Sequence, residues 1–255
     1  MSQYSIICLQ ETGLAHEYEI AQVQFQLKKM SQYYSYWSPA KITDRNDRSR
    51  GVGIIIHPYL ADFFDTVKIV QNESTAHYLR VECQTEMYKL YLHGVYAPSN
   101  DGERLKFYQA RERQYQTLGS HIVMGNFNDV LDPTVNAKGM VTALSQSALE
   151  LQQWFTDMDV VDMWRFKYPK KVIYTNPMKR TGRSCQIDMI AGSYDLMLET
   201  LVMADHREDL IMGDHVAVEV GLQGAQITTK PSPWRMKVAT LQHLSVHKKL
   251  FKQIE

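Results

Sequence analysis

The stretch His121–Asp132, HIVMGNFNDVLD, decides how this chain reads. Ile122, Val123 and Met124 run into Gly125, and behind the glycine stand Asn126, Asn128 and Asp129. An apolar run that stops at a glycine and a polar cluster has the pattern of a buried strand. Open sheets that combine strands and helices place their chemistry at the C-terminal edge of such strands. The first polar residue, Asn126, is an amide. A carboxylate there would take a proton or hold a metal, and an amide does neither.

Similar short runs recur along the chain: YSIICLQ, GVGIIIH, YLRVEC, YKLYLHGVY, CQIDMIAG and HVAVEVGL. Their length and their Ile, Val and Tyr content predict strands. Helical periodicity lies between them. Ile20, Val23 and Leu27 mark a helix around 18–30. Asn100 is the expected N-cap of a second helix, with Leu105, Tyr108, Tyr115 and Leu118 on its apolar face and Arg104, Lys106 and Arg113 on its polar one. A third is expected from Thr142 to about Met158, striped by Leu144, Ala148, Leu151 and Phe155. Hairpin-like strand pairs with helices between them predict an α+β fold of two mixed sheets with helices outside, a four-layer sandwich. The domain is expected over 1–223. Residues 224–255 read as a linker followed by a basic helical tail from Trp234.

Composition narrows the function classes. The 255 residues carry 28 Lys+Arg and 28 Asp+Glu, so nucleic-acid binding must come from a local patch and not from overall charge. Three scattered cysteines, Cys8, Cys83 and Cys185, with no CxxC, read as reduced core residues of a nuclear or cytoplasmic protein that is not secreted. No apolar run reaches the roughly 20 residues of a membrane span. The local patch is Arg165–Arg183, RFKYPKKVIYTNPMKRTGR. It holds Arg165, Lys167, Lys170, Lys171, Lys179, Arg180 and Arg183 without one acid.

Polar groups stand at the ends of three further apolar strands, Gln10-Glu11-Thr12, Tyr96-Ala97-Pro98-Ser99 and Gly213-Asp214-His215, and Asp188 is set inside an apolar strand between Ile187 and Met189. Singly, Glu11 reads as a solvated strand end and His215 as a hydrogen-bonded loop residue. Asp188 is different, because a carboxylate inside an apolar strand must find a partner. As an ordered set, ICLQET, GVGIII, VYAPS, MGNFN, CQIDMI and GDH resemble the endonuclease/exonuclease/phosphatase superfamily. The nearest likeness is to the endonuclease domains of non-LTR retrotransposons, relatives of abasic-site endonucleases.

That resemblance implies a magnesium-dependent phosphodiesterase, with manganese as a substitute ion, acting on DNA. Glu11 would bind the metal. His215 would contact the scissile phosphate or activate water, oriented by Asp188, with Asp214 supporting the metal. Tyr96 and Asn128 would donate to phosphate oxygens, with Ser99 and Thr175 beside them. Lys170, Lys171, Lys179, Arg180 and Arg183 would track the nucleic-acid backbone. PSPWRMKVATL resembles the junction to a reverse transcriptase domain in a longer parent chain.

Three departures accompany the likeness. The family's first strand, with its asparagine or aspartate at the metal, is expected to be missing, so that the domain is truncated at its N-terminus. Asn126 stands where the family has its catalytic aspartate. Gly213 stands for serine and Ser99 for an asparagine of some relatives. The expected activity is therefore weak or absent. The alternatives are a non-catalytic nucleic-acid-binding remnant, or the same fold acting on RNA or a small phosphate ester.

Overall fold

The computed structural model describes residues 4–45, 47–72, 76–113, 119–139, 143–178, 183–223 and 234–240. Its principal elements, in chain order, begin with β1 (Ile6–Gln10), α1 (Glu17–Ser31), β2 (Tyr34–Ser38), β3 (Val52–Ile56), β4 (Thr66–Asn72), β5 (Tyr78–Gln84) and β6 (Lys89–Tyr96). Then come α2 (Asp101–Gln109), β7 (Ser120–Asn126), α3 (Gln146–Asp157), β8 (Val160–Asp162) and β9 (Asp188–Ser193). The last three are β10 (Leu201–Met212), β11 (His215–Leu222) and β12 (Trp234–Thr240).

Two six-stranded sheets form, in the orders β10-β11-β12-β1-β3-β2 and β8-β9-β7-β6-β5-β4. Each is mixed: β1 runs parallel to β12 and β6 parallel to β7, and the remaining neighbours are antiparallel. The alternation of side chains explains the four layers. Ile6 and Cys8 of β1, Ile54 of β3, Leu92 of β6, Met124 of β7 and Val218 of β11 share one core between the sheets. The opposite face of β1 and β3, with Leu9 and Ile55, packs on Leu27 of α1. The opposite face of β7, with Val123, packs on Phe107 and Tyr108 of α2 and on Leu151, Trp154 and Phe155 of α3. Strands apolar on both faces are what a sheet covered on both sides requires.

The expected helices are present but two are shorter, since α2 ends before Arg113 and α3 begins after Leu144. Asn100 Oδ1 accepts from Glu103 N at 3.1 Å and Ser145 Oγ from Ala148 N at 3.0 Å. Both bonds satisfy N-terminal amides that a helix leaves unpaired. Tyr115 and Leu118 lie outside the described residues. Arg104, expected on a solvated face, is buried and bonds Asp129 Oδ2 at 2.7 Å.

The tail departs most from expectation. Trp234–Thr240 is not helical but forms β12, paired to β1 on one side and β11 on the other. Its alternation, WRMKVAT, has period two as well as weak helical character, and two open ladder edges decide between them. Buried backbone groups left unpaired cost about 1–3 kcal/mol each, so a segment able to pair with both edges becomes a strand. Residues 241–255 of the expected helical tail lie outside the described residues.

β10 also carries no obvious strand signal, because Asp205, Arg207, Glu208 and Asp209 interrupt it. It is an edge strand, where charge is tolerated and discourages pairing with other chains. Arg207 bonds Glu219 of β11 at 2.9 Å.

Gly125, near the end of β7, has φ +149°, and a Cβ there would lie 1.9 Å from Val95 O of β6. Gly125→Ala is therefore expected to lose about 3 kcal/mol of stability in urea unfolding, since the parallel β6–β7 ladder must shift. A variant within about 0.5 kcal/mol of the parent would show that the ladder accommodates a side chain there.

Candidate active site

Tyr96, Asn126 and Asp188 stand side by side in register on β6, β7 and β9, at one end of the second sheet. Across the core, the corresponding end of the first sheet carries Glu11, just past β1, and His215, the first residue of β11. Two contacts join the sheets there. The Tyr96 hydroxyl donates to Glu11 Oε1, and Asp188 Oδ2 lies 2.7 Å from His215 Nδ1. The backbone of Glu11 is left-handed, φ 53°, an unusual conformation for a non-glycine residue and one found where a site fixes it.

The electrostatics follow from this arrangement. Burial opposes a charged His215 ring, but the Asp188 charge and hydrogen bond outweigh it, aided by Asp214 and Glu11. The pKa is raised above its usual value. Burial, then the bond to Glu11, raises the Tyr96 phenol, which stays a proton donor throughout the physiological range. Asp188 Oδ1 is buried with no hydrogen-bond partner. Asn126, beside Asp188 in register, adds no second charge there, whereas an aspartate would repel it.

Asn126 has a structural task as well. Its Oδ1 accepts from Asn128 N at 2.8 Å, and Asn128 Nδ2 donates to Ala97 O at 2.7 Å. Asn128 thus reaches the rim half-buried, with one amide hydrogen committed to backbone. The loop is held from behind by Asp129, which takes Arg104 Nε at 2.7 Å and Ser145 Oγ at 2.8 Å.

Thr175 is corrected from ligand contact to structure. It is fully buried, and its Oγ1 accepts from the amides of Ile187 and Asp188, both at 3.0 Å. Ser99 is exposed at the rim and its carbonyl accepts from Arg104. Asp214 is 60% exposed, its Oδ1 3.8 Å from His215 Nε2. Asn176 was not singled out in the sequence. It is buried in a short strand, with Nδ2 2.8 Å from His215 Nε2. Its neighbour Thr175 carried the only signal, since the amide sits next to it in YTNP.

Solved structures share this fold. The AP endonuclease LMAP of Leishmania major superposes with a TM-score of 0.68 over 87% of this chain and 79% of its own, at 12% identity. The Xenopus laevis APE2 catalytic domain gives 0.65 over 90% and 84%, at 16% identity. The chain has the endonuclease/exonuclease/phosphatase fold.

Within that fold, truncated Caenorhabditis elegans TDP2 is more distant, with a TM-score of 0.53 at 15% identity over 84% of this chain and 82% of that one. In sequence, an uncharacterized 149 kDa protein of transposon TX1 from Xenopus laevis is 27% identical over 174 residues, 65% of this chain. The chain spans 12% of that relative's length. No family model matches.

The basic stretch flanks the rim but is less open than its composition suggests. Arg165 is spent on structure, bonding the carbonyls of Tyr168, Pro169 and Lys171 and Gln186 Oε1. Lys167 Nζ donates to Val202 O. Lys170 and Lys171 are exposed, and the Lys171 ammonium lies 5.1 Å from the Trp164 ring centroid and 5.3 Å from that of Tyr168. Lys179 and Arg180 lie outside the described residues, as does the side chain of Arg183. Cys8 and Cys83 are free and buried, their thiols pushed up to about 12 by burial, so they are inert core residues; Cys185 is free and half-buried. Among the described residues no helix is long and apolar enough to cross a membrane.

Asp188→Asn is expected to lower the His215 pKa below that of the parent, read by NMR titration of the ring protons, because burial then acts without its counter-charge. The sign for stability follows. The raised parent pKa contributes stability that is full below about 6.5 and is lost as pH rises through the folded value, so the parent's advantage over the variant shrinks in alkali. An unchanged midpoint would remove Asp188 as the cause.

Proposed function

We propose that this chain is a DNA phosphodiesterase of endonuclease type with weak turnover. The observation that carries the reading is the pair of inter-sheet contacts, Asp188–His215 and Tyr96–Glu11, gathered on one rim around Asn126. His215, whose protonated form Asp188 favours, attracts a phosphate and orients the scissile group. The Tyr96 phenol, kept protonated, donates a hydrogen bond as charge develops on a phosphate oxygen. The exposed ammonium groups of Lys170 and Lys171 hold the flanking backbone without reading its sequence. The AP endonucleases that share the fold and the transposon protein that shares sequence both point to DNA, and the latter to a longer parent chain.

The donor set for a metal is thin. Among the described residues no three His, Cys, Asp or Glu side chains form a cage. Magnesium suits such a set, because it keeps its waters and leans on one or two carboxylates and the substrate phosphates. Glu11 would hold it, with exposed Asp214 nearby through water. When bound, the ion would neutralise phosphate charge and stabilise the leaving oxygen. Manganese would take the same oxygen ligands.

Turnover is weak because an amide stands where the family has its catalytic aspartate. Asn126 cannot accept its proton, and the loss of a positioned base costs on the order of 10²–10⁴ in rate. A second reading, a binding module without chemistry, is favoured by Asn176 occupying His215 Nε2.

Nicking of supercoiled plasmid in magnesium separates the two. The parent is expected to nick slowly, His215→Ala to abolish the residue, and Asn126→Asp to raise the rate by about 10²–10⁴. A parent with no nicking above the His215→Ala background sinks the enzyme reading and leaves the binder. Lys170→Glu/Lys171→Glu is expected to weaken DNA binding in chelator and to flatten its salt dependence by about two phosphate contacts. Unchanged anisotropy titrations would remove this loop from the interface.

A further inference from the structure

β12 is the last strand of the described chain, yet it lies in the middle of the first sheet. It runs parallel to β1, with Ile6 opposite Met236 and Gln10 opposite Thr240. It runs antiparallel to β11, with Val218 opposite Val238 and Leu222 opposite Trp234. Without it the sheet would fall into two pieces, β10-β11 and β1-β3-β2. The two strands parted would be those that deliver His215 and Glu11.

The second sheet shows what that spacing is for. Tyr96 ends β6 and Asp188 begins β9, and the one strand between them is β7. Their partners, Glu11 and His215, stand on β1 and β11, and the one strand between those is β12. Both inter-sheet contacts therefore bridge strands that are two inter-strand spacings apart in each sheet, about 10 Å. If β1 and β11 paired directly they would stand about 5 Å apart, and the two contacts could not both close. β12 is the spacer in the first sheet that matches β7 in the second.

We infer that the gap between β1 and β11 is a strand-accepting groove, that Trp234–Thr240 of the same chain is its occupant, and that occupancy sets the geometry of the candidate site. The interaction is main-chain pairing on both sides, so it selects an extended segment free of proline. The site is then conditional on a segment that the sequence reading placed outside the domain.

Hydrogen exchange on the full chain tests this. Val238→Pro removes a backbone donor at the position paired with both Cys8 and Val218. It is expected to lower amide protection in Ile6–Gln10 and His215–Leu222 by roughly 100-fold and to shift the His215 ring signals. Val238→Ala keeps the donor and is expected to leave both unchanged. A protease site placed within 224–233 gives the second arm, informative even if the proline variant fails to fold. After cleavage the C-terminal fragment is expected to stay bound through gel filtration. Once it is stripped, a synthetic peptide of residues 230–245 is expected to restore protection and the ring signals. A fragment that separates while protection and ring signals stay as they were overturns the inference. So does a concentration-dependent dimer in which one copy's strand fills the other's groove, because the occupant would then not be in cis.

Discussion

A carboxylate set between Ile187 and Met189 in a buried strand cannot remain alone, and Asp188 finds its partner across the gap between two sheets. Much of the molecule is arranged around that pairing with His215. Thr175 gives up its hydroxyl to the amides of Ile187 and Asp188, fixing the start of β9. The carbonyl of the same threonine accepts from Val216 N at 2.7 Å, fixing the start of β11. One buried residue thus aligns both members of the ion pair. Breaking a buried pair by removing one partner typically costs about 3–5 kcal/mol, so this alignment is also a large element of the fold's uniqueness.

The strands of the core and the positions of the site residues were legible in the sequence because both depend on local pattern. Ile, Val and Leu at period two mark strands, and a polar residue where such a run stops marks a rim. Glu11, Tyr96, Asn126 and His215 fell at the ends of such runs and Asp188 inside one, and the five meet at one rim. What was not legible depends on partners distant in sequence. Arg104 has the spacing of a solvated helical residue, and only Asp129, arriving from another loop, draws it inside. Thr175 looks like a ligand contact until the amides it serves are placed. WRMKVAT satisfies two periods at once, and the unpaired edges of β1 and β11 choose between them. The charged run from Asp205 to Asp209 hides a strand, since edge strands tolerate what central strands do not.

At Asn126 the local shape and the capacity for proton transfer make different demands on one side chain. The Asx turn over Asn128 needs only an acceptor at Oδ1, which an amide supplies as well as a carboxylate does. The loop, its anchor on Asp129 and the parallel ladder around Gly125 are therefore indifferent to the exchange. Proton transfer is not. Architecture at this position asks only for Oδ1, and proton transfer would ask for the second oxygen that an amide lacks.

The central position of β12 bears on how the chain acquires its structure. β1 and β12 stand far apart in sequence, and neither the first sheet nor the rim is complete until they meet. Contacts of such long sequence separation slow folding, because a large loop must close before it is rewarded. During synthesis β1 and β11 present open apolar edges of the kind that recruit other strands. The molecule is thus most exposed to aggregation until β12 pairs, and whatever delays or withholds β12 lengthens that interval.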